Sequence, residues 1–410
     1  MKLSQEIKEF IQKHLHDDTN QLLLSAARYP GIDVPFAVDQ IIARQRIKEK
    51  LPEWYILEDL LFPSRLSTEQ CSSEWTARYK AQLLLGERFC DLTGGLGVDC
   101  FYFSKQAKEA IYVERFADYC NVAKHNFNLL KASNIQVIHR DARELLSSLQ
   151  VDTFYLDPAR RSKDNKRAFA LSDCEPDLLQ LKPLLLERAK RTIVKISPMA
   201  DLEETLRLLP ETTEIHIIAI KNECKELLFI LENRDKNLPL NAVKIQAVNL
   251  SPKQKETSFI FTLQEEKSAP LLVTEKVENF LYEPHAALLK SGAFKLIASR
   301  YGLKKLHQHT HLYTSEQLVE AFPGRSFRVE QQFEFSKKLL QQISKQLPKA
   351  NLTIRNFPLS VAEFRKRSGV KEGGDCYLFA TTLVNEQKIV LQTSPISTSQ
   401  PNVPQPEPEA

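Results

Sequence analysis

The sequence lacks the features that mark secreted and membrane proteins. Its seven cysteines include no C-x-x-C pair, and no apolar run approaches the length that crosses a bilayer. The first residues, M-K-L-S-Q-E-I-K, do not contain the long apolar core of a signal peptide. These absences predict a protein of a reducing compartment, the cytoplasm, whose fold needs neither disulfide bonds nor a membrane.

A large excess of charge of one sign is also missing. The chain has 56 lysines and arginines and 52 acidic residues, for a net charge of +4, and 42% of its residues are hydrophobic. That apolar fraction is enough for the cores of about two to four domains. A mildly basic chain permits an anionic partner such as nucleic acid without requiring one.

Glycine is scarce, with 11 residues in the chain, but three of them lie close together. They belong to R-F-C-D-L-T-G-G-L-G-V-D at 88–99, where an apolar run and an acid precede the glycines. The pattern predicts a strand that turns into a helix, where bare backbone lets a ligand approach and the free helix amides favour polar groups. We expect Gly94, Gly95 and Gly97 to contact a nucleotide-like ligand; an ordinary tight turn is the alternative.

The hydrophobic pattern changes several times along the chain. Helical spacing predicts an all-helical N-terminal domain at 1–80, and β-branched runs alternating with helical segments predict a doubly wound α/β domain at 81–240. The last two strands of that domain, joined by K-N-E-C-K, are expected to form an antiparallel pair. The remaining parts are a connector or sheet extension at 241–282, a small α+β module at 283–326, a second α+β domain at 327–395 and a disordered tail at 396–410.

Four acidic residues follow successive predicted strands: Asp91, Glu114, Asp141 and Asp157. The carboxyl ends of parallel strands meet at one edge of a sheet, where open α/β sheets bind their ligands. Glu114 is placed there to accept both hydroxyls of a ribose, and Asp141 to receive the exocyclic amine of an adenine. Taken alone, Glu114 and Asp141 are better explained as helix caps or solvated loop residues, and Asp157 with Pro158 as an ordinary turn. The four acids and the glycines in one strand order favour a ligand site.

These motifs resemble those of the class I S-adenosylmethionine (SAM)-dependent methyltransferases. D-L-T-G-G-L-G-V-D looks like their first motif and D-P-A-R, at 157–160, like their fourth. A bacterial group of these enzymes with a THUMP-like C-terminal domain is similar in E-Q-C-S-S-E-W-T-A-R-Y-K, L-T-I-R-N-F-P-L-S-V-A-E-F-R-K and G-G-D-C-Y-L-F-A-T-T-L. The resemblance implies a Rossmann-like domain with a seven-stranded sheet whose last strand is antiparallel. It also implies a ferredoxin-like module at 283–326 and a THUMP-like domain at 327–395.

The resemblance further implies that SAM is the cofactor and that two groups of residues surround it. The residues expected to bind the cofactor are Asp91, Thr93, Gly94, Gly95, Gly97, Glu114, Asp141 and Ala142. Those expected at the site of methyl transfer are Asp157, Pro158, Ala159 and Arg160. If the acceptor is an amine, Asp157 and the carbonyl of Pro158 would accept its hydrogens and aim its lone pair.

The catalytic segment also resembles the trimethylguanosine synthase type of RNA methyltransferase. The fourth motif of that type has a second proline and an aromatic residue, which Ala159 and Arg160 replace here. How the acceptor would be held is therefore open.

A basic run, R-R-S-K-D-N-K-R, begins within the D-P-A-R motif. Beside a methyl-transfer site, such side chains would grip the phosphates of a nucleic acid, although a solvated loop explains them too. The residues predicted to contact substrate are Arg161, Lys163, Lys166 and Arg167. With the THUMP-like resemblance, this run makes RNA, either rRNA or tRNA, the leading substrate class.

Three alternatives stay open at this stage. The enzyme could act on a small-molecule or protein acceptor, or the chain could be a non-catalytic RNA-binding protein on a SAM-fold scaffold. A dehydrogenase that uses nicotinamide adenine dinucleotide (NAD) is disfavoured, because T-G-G-L-G is not G-x-G-x-x-G.

Two local predictions concern the C-terminal half. The segment from Phe294 to Ile297 is expected to be a strand, and His307, His309 and His311 are expected to alternate along another strand and share one face. Three histidines along one strand are spread too far for one tetrahedral ion, and no acidic or thiol ligand is interleaved. We therefore expect an exposed strand and no metal site.

Overall fold

A computed structural model of the chain describes residues 3–160, 171, 174–232, 239–251 and 256–396. The chain divides into two compact units, one of residues 1–218 and 225–243 and the other of 219–224 and 244–410. The predicted substrate residues Arg161, Lys163, Lys166 and Arg167 lie outside the described residues. The six-part domain division proposed from sequence stays a prediction.

The first unit begins with six helices. They are α1 (Gln5–Lys13), α2 (Thr19–Leu24), α3 (Val34–Lys50), α4 (Pro52–Tyr55), α5 (Arg65–Gln70) and α6 (Glu74–Ala81). Most start at an acid or serine whose side chain accepts a backbone N–H of the first turn, as Asp33 does for Phe36 and Ser73 for Thr76. The apolar faces of α1, α2 and α3 form one core, which includes Phe10, Ile41 and, from the segment after α4, Leu61.

A sheet and its helices form the rest of this unit. Its strands are β1 (Arg88–Asp91), β2 (Glu109–Glu114), β3 (Ile135–His139), β4 (Val151–Leu156), β5 (Ala159–Arg160), β6 (Cys174–Glu175), β7 (Ala189–Ile196), β8 (Thr212–Ile220) and β9 (Glu223–Glu232). The helices between them are α7 (Val98–Ser104), α8 (Ala117–Leu129), α9 (Ala142–Leu145), α10 (Leu178–Arg188) and α11 (Leu202–Leu208). Among the described residues, strands β5 and β6 pair only with each other.

The seven main strands lie in the order β8-β9-β7-β4-β1-β2-β3. Strands β7, β4, β1, β2 and β3 run parallel, and β9 runs antiparallel to β7. The central strands are buried on both faces, as Phe154 and Tyr155 of β4 show, which is why they read as continuous apolar runs. The predicted parallel sheet with an antiparallel last strand, β9, is confirmed. The β8–β9 turn consists of Lys221 and Asn222, both at positive φ.

The second unit contains β10 (Lys244–Leu250), β11 (Thr257–Thr262), β12 (Phe280–Pro284), β13 (Lys304–His307), β14 (Thr310–Ser315), β15 (Gly324–Glu334), β16 (Asn351–Arg355), β17 (Tyr377–Thr382) and β18 (Lys388–Pro395). Its helices are α12 (Leu263–Ser268), α13 (Ala286–Ser291), α14 (Phe294–Tyr301), α15 (Lys337–Gln346) and α16 (Val361–Ser368). Strands β10 and β11 pair antiparallel. The other seven form one sheet in the order β13-β14-β12-β15-β18-β17-β16, in which only β16 and β17 are parallel.

Two predictions for this unit are wrong. Residues Phe294–Tyr301 form helix α14 rather than a strand, because this segment buries Leu296 and Ile297 on one helical face between turns at Gly292 and Gly302, both at positive φ. The histidines do not share one strand face either. His307 ends β13, His309 lies in the turn and His311 lies in β14. No helix among the described residues is long and apolar enough to span a membrane.

Candidate active site

The turn between β1 and α7 requires glycine at each predicted position. Gly95 and Gly97 have φ angles of +52° and +86°, in the left-handed region that glycine occupies without strain. A Cβ atom on Gly94 would lie 2.3 Å from the Tyr112 ring. A Cβ on Gly95 would meet only one atom of the described residues within 4 Å, the Thr93 carbonyl oxygen at 3.8 Å. The Gly95 backbone is therefore accessible to a ligand from the open space beside it.

That space is a cavity of about 660 Å³ at the carboxyl ends of the parallel strands. Ten of the predicted site residues line it: Asp91, Thr93, Gly94, Gly95, Gly97, Glu114, Asp141, Ala142, Asp157 and Ala159. Pro158 and the described backbone of Arg160, in β5, are not among the lining residues. The cavity thus unites residues from four strand ends, as the sheet topology requires.

Asp91 and Thr93 connect the glycine turn to the D-P-A-R segment. The Asp91 carboxylate accepts a hydrogen bond from the Thr93 amide at 3.0 Å, and the Thr93 hydroxyl accepts one from the Asp157 amide at 2.7 Å. Asp91 is 1% exposed. Burial raises its pKa well above the usual range, and the negative charges of Asp99, Asp157 and Glu114 raise it further.

Glu114 is held in place by two backbone amides. Its Oε2 accepts the Gly95 N–H and its Oε1 accepts the Phe116 N–H, both at 3.0 Å. A carboxylate oxygen has a second lone pair after accepting one hydrogen bond. The side chain is therefore oriented beside the glycine backbone and retains capacity for ligand hydroxyls.

Asp141 already has hydrogen-bond partners within the protein. It caps α9, and both of its oxygens accept hydrogen bonds from the Arg143 guanidinium, at 2.9 and 2.7 Å. These bonds lower the pKa of Asp141. Its contact with an adenine amine stays a prediction. The amine would have to bind an Asp141 oxygen that also accepts a hydrogen bond from Arg143.

Asp157 forms an ion pair with Lys195, which is the last residue but one of β7, beside β4, and also lines the cavity. Burial lowers the pKa of Lys195, but the carboxylates of Asp157, Glu226 and Asp99 more than offset this and raise it above the usual value. The lysine is therefore protonated at neutral pH.

A second buried lysine lies behind this pair. Lys80 is fully buried and forms ion pairs with Asp99 at 2.8 Å and Glu226 at 3.3 Å. Its ammonium also donates to Ser72 at 2.6 Å, and Ser72 and Tyr155 both donate to Asp99 at 2.8 Å. This network fixes the wall of the cavity, because Ser72 and Asp99 both line it.

The N-terminal helices supply one side of the cavity. The sequence suggests that a helix of residues 70–80 closes over the ligand. In the structure the lining residues come from α5 and the loop before α6: Leu66, Ser67, Gln70, Cys71 and Ser72. Helix α6 (Glu74–Ala81) does not line the cavity itself, but its Lys80 forms an ion pair with the lining residue Asp99. That this segment closes over a bound ligand stays a prediction.

Sequence reasoning missed several cavity residues, among them Phe116, Ser72 and Lys195. The Phe116 ring is 52% exposed although it lines the cavity, and an aromatic residue two positions after Glu114 was its signal. Lys195 interrupts the apolar run T-I-V-K-I-S, and a lysine in a buried strand indicates a local partner. Ser72 carried no signal, because its partner Asp99 is distant in sequence.

The charges of the cavity indicate which ligands it suits. Around the glycine turn lie the carboxylates of Asp91, Asp99 and Glu114, which are hydrogen-bond acceptors. They fit a cationic ligand rich in N–H and O–H donors, and they would repel the pyrophosphate of a dinucleotide. In the part of the chain that the structure describes, no group of His, Cys, Asp and Glu side chains could hold a metal ion.

Comparisons with family models match two adjacent segments in the C-terminal part of the chain. Residues 280–323 match the model of a ferredoxin-like domain and residues 324–395 that of a THUMP domain-like family. Strand β15 of the second match pairs with β12 of the first, so the two matched segments share one sheet. A comparison with curated protein sequences gave no match.

Two solved structures resemble only part of the chain. A candidate RNA methyltransferase from Pyrococcus horikoshii is 16% identical, with a TM-score of 0.29 over 46% of this chain and 98% of its own. The tRNA (uracil-54, C5)-methyltransferase of Pyrococcus abyssi, solved with S-adenosyl-L-homocysteine, is 16% identical, with a TM-score of 0.28 over 43% and 41%. Similarity at this level supports no functional argument.

A third solved structure is similar throughout. It is a protein from Porphyromonas gingivalis W83 classed as a candidate methyltransferase, with 36% sequence identity and a TM-score of 0.87. The alignment covers 97% of this chain and 100% of that one. With its sheet order, its glycine turn and its C-terminal matches, the chain belongs to the family of class I methyltransferases that carry a THUMP-like C-terminal domain.

Proposed function

We propose that this protein transfers the methyl group of SAM to a nucleobase of RNA. The observation that carries the proposal is the Glu114 carboxylate, fixed 3.0 Å from the Gly95 amide beside bare glycine backbone. A carboxylate at the end of the second strand of such a sheet is placed to accept the hydroxyls of a ribose. SAM contains that ribose, and its sulfonium and ammonium groups suit the acid-rich turn.

Several residues would hold the other parts of SAM. The exposed face of Phe116 offers a surface on which adenine can stack, and Asp141 lies at the end of the next strand along the sheet. Asp91 and Asp99 would accept the hydrogens of the methionine ammonium. When bound, SAM supplies a methyl group that is already a good electrophile, so the protein has mainly to position the acceptor.

Asp157 is the residue best placed to position that acceptor. Its amide is bound to the Thr93 hydroxyl and its carboxylate to Lys195, so its side chain is held from two directions. Its side chain is 36% exposed, and Asp157 lines the cavity. An acceptor that donates a hydrogen to Asp157 would be oriented toward the methyl group with little loss of freedom.

RNA as substrate is supported by the C-terminal match and by charge. Residues 324–395 match the THUMP domain-like family, and the basic run at 160–167 begins three residues after Asp157. Cationic side chains beside a methyl-transfer site would bind backbone phosphates without reading sequence. A cytoplasmic location, which the cysteine pattern predicts, would give the protein access to rRNA and tRNA.

The experiment that tests this proposal is transfer of a radiolabelled methyl group from SAM to total RNA. Asp157→Ala should lower the rate by about 100-fold or more, because the group that orients the acceptor is lost. Asp152→Asn is the matched control, because Asp152 lies near the start of β4 and contacts Lys190; its rate should be unchanged. Label in a protein or small-molecule acceptor, with none in RNA, would contradict the proposal.

A further inference from the structure

Lys195 is a charged residue in a strand that is otherwise apolar and buried. Its neighbours Val194 and Ile196 are 0% and 2% exposed, and β7 pairs with β4 so that Val194 lies opposite Leu156. Asp157 and Lys195 are the next residues along the two strands, so they lie side by side at the carboxyl ends of adjacent parallel strands. The lysine side chain is 15% exposed and lines the cavity.

The Lys195 ammonium donates one hydrogen to the Asp157 carboxylate. An ammonium has three hydrogens and a carboxylate has two oxygens, so each group retains capacity toward the cavity. Together they present a hydrogen-bond donor and an acceptor side by side. The carboxylates of Asp99 and Glu226 also act on the charge of Lys195 and keep it positive.

This pair is a poor general base. A protonated lysine takes up no proton, and the Asp157 carboxylate already accepts a hydrogen from that lysine. Methylation of a ribose hydroxyl needs a base, because a neutral hydroxyl is a weak nucleophile. An exocyclic amine needs none before it attacks, since it already has a lone pair.

Methylation of a pyrimidine carbon has a different requirement. It is assisted by a cysteine thiolate that adds to the ring. Among the residues that line the described cavity, Cys71 is the one cysteine, and burial raises the pKa of its thiol. A thiol with a raised pKa is a poor nucleophile at neutral pH. The cavity therefore favours nitrogen over both oxygen and carbon as the acceptor atom.

We propose that the Lys195–Asp157 pair reads the amidine edge of an amino-nucleobase, and this rests on the proposed function above. Asp157 accepts a hydrogen of the exocyclic amine while Lys195 donates to the adjacent ring nitrogen. Adenine, cytosine and guanine present that edge, with an amine beside a ring acceptor. Lys195 is thus a specificity-determining residue, and the product is a base methylated at its exocyclic nitrogen.

The transfer balances with these groups alone. The amine lone pair forms the nitrogen–carbon bond while the carbon–sulfur bond breaks, and the bonding electrons remain on sulfur, which becomes a neutral thioether. The nitrogen gains a positive charge and gives up one proton to the Asp157 carboxylate, which passes it to water. Lys195 keeps its protons throughout.

The first part of the test identifies the methylated atom. Total RNA is incubated with the full chain and SAM that carries a deuterated methyl group, and its nucleosides are separated by mass spectrometry. We expect label in adenosine, cytidine or guanosine methylated at the exocyclic amine. Label at a ribose oxygen, at a pyrimidine carbon or in a uridine would overturn this inference and leave the proposed function standing, whereas absence of label from all RNA would contradict both.

The second part uses variants of Lys195. Lys195→Met should lower kcat/KM for RNA by about 100-fold, as loss of one oriented donor does, while the Kd for SAM changes less than about 3-fold. Lys195→Arg keeps a cationic donor and should recover part of the loss, which a purely structural role would not predict. An unchanged kcat/KM in folded Lys195→Met, or equal losses in both variants, would overturn the assignment of Lys195.

Discussion

The Glu114 carboxylate accepts a hydrogen bond from the Gly95 amide at 3.0 Å. These residues belong to different elements, the end of β2 and the turn after β1, and β1 and β2 are adjacent parallel strands. The bond orients an acceptor beside backbone that has no side chain. We therefore expect changes at Gly95 or Glu114 to weaken cofactor binding.

Gly95→Ala should destabilise the fold slightly and abolish SAM binding. The left-handed φ of +52° costs a residue with a Cβ about 1–2 kcal/mol, and the new methyl would stand in the cavity. Denaturant unfolding and calorimetric titration with SAM measure the two effects.

Gly31→Ala is the matched control for that variant. Gly31 has a φ of +87°, and no atom of the described residues lies within 4 Å of the position that its Cβ would take. The substitution should therefore cost similar stability and leave SAM binding normal. Normal binding by Gly95→Ala would remove the Gly95 backbone from the site.

Asp91→Asn should stabilise the protein and weaken SAM binding. Burial raises the pKa of Asp91, so the neutral carboxyl is favoured in the folded state. As the pH rises through this raised pKa, ionisation of Asp91 lowers the stability of the folded protein relative to the unfolded chain. The asparagine oxygen can still accept the Thr93 amide. We expect a gain of about 1–2 kcal/mol in the free energy of unfolding at pH 7, and a smaller gain at about pH 5.

Chemical denaturation at the two pH values measures this difference. SAM affinity should fall at least about 10-fold in the same variant, because the asparagine amide replaces one acceptor oxygen with an NH2 donor, which cannot accept a hydrogen from the ligand's ammonium. Equal affinity, or a gain in stability that shrinks as the pH rises, would contradict the role of Asp91.

His285 should make the protein less stable in mild acid. It is 4% exposed, and burial lowers its pKa from 6.5 to about 4. The unfolded chain then binds more protons, so stability is full above about pH 6.5 and is lost as the pH falls toward 4. Between pH 7 and 5 the loss should be about 2 kcal/mol.

A variant of His285 isolates this effect. In the wild type the His285 Nδ1 accepts the Leu288 amide at the start of α13, and asparagine is also a good N-cap. His285→Asn should therefore keep the helix and flatten the pH dependence of urea unfolding. The same slope in wild type and variant would show that another group is responsible.

Glu283→Gln should destabilise the sheet of the second unit. The Glu283 side chain is 3% exposed and forms ion pairs with Arg325 and Arg355, so it connects β12 to β15 and β16. Both arginines are more than 40% exposed, which limits the cost to about 1–2 kcal/mol. Thermal unfolding should show a lower Tm.

Glu386→Gln is the control for that variant, because Glu386 is 77% exposed and lies 3.4 Å from His307. Its Tm should not change. Equal Tm values for Glu283→Gln and Glu386→Gln would show that the buried carboxylate adds nothing measurable.

The sheet of the first unit could be predicted from sequence because its strands are buried on both faces. Phe89 and Cys90 of β1 and Phe154 and Tyr155 of β4 are almost fully buried, and such runs stand out between helical segments. Strand-end acids then follow from topology alone, which is why Asp91, Glu114, Asp141 and Asp157 can be placed at one edge.

The failures have two physical causes. The run from Phe294 to Ile297 is too short for its period to distinguish strand from helix, and the glycines that bound α14 decided the outcome. The network around Lys80 and Lys195 joins residues from five distant segments, including those of Asp99 and Glu226. No spacing in the chain encodes such contacts, although a lysine inside an apolar strand is a usable signal.

The most direct test of the account is calorimetric titration of the full chain with SAM and, separately, with NAD. We expect micromolar affinity for SAM, no binding of NAD, and a loss of about 1–3 kcal/mol for SAM in Glu114→Ala, the cost of leaving ribose hydroxyls unpaired. Glu109→Ala, at the opposite end of β2 and 69% exposed in its side chain, should bind like the wild type. Absence of SAM binding, or equal affinity in Glu114→Ala, would contradict the proposed cofactor site.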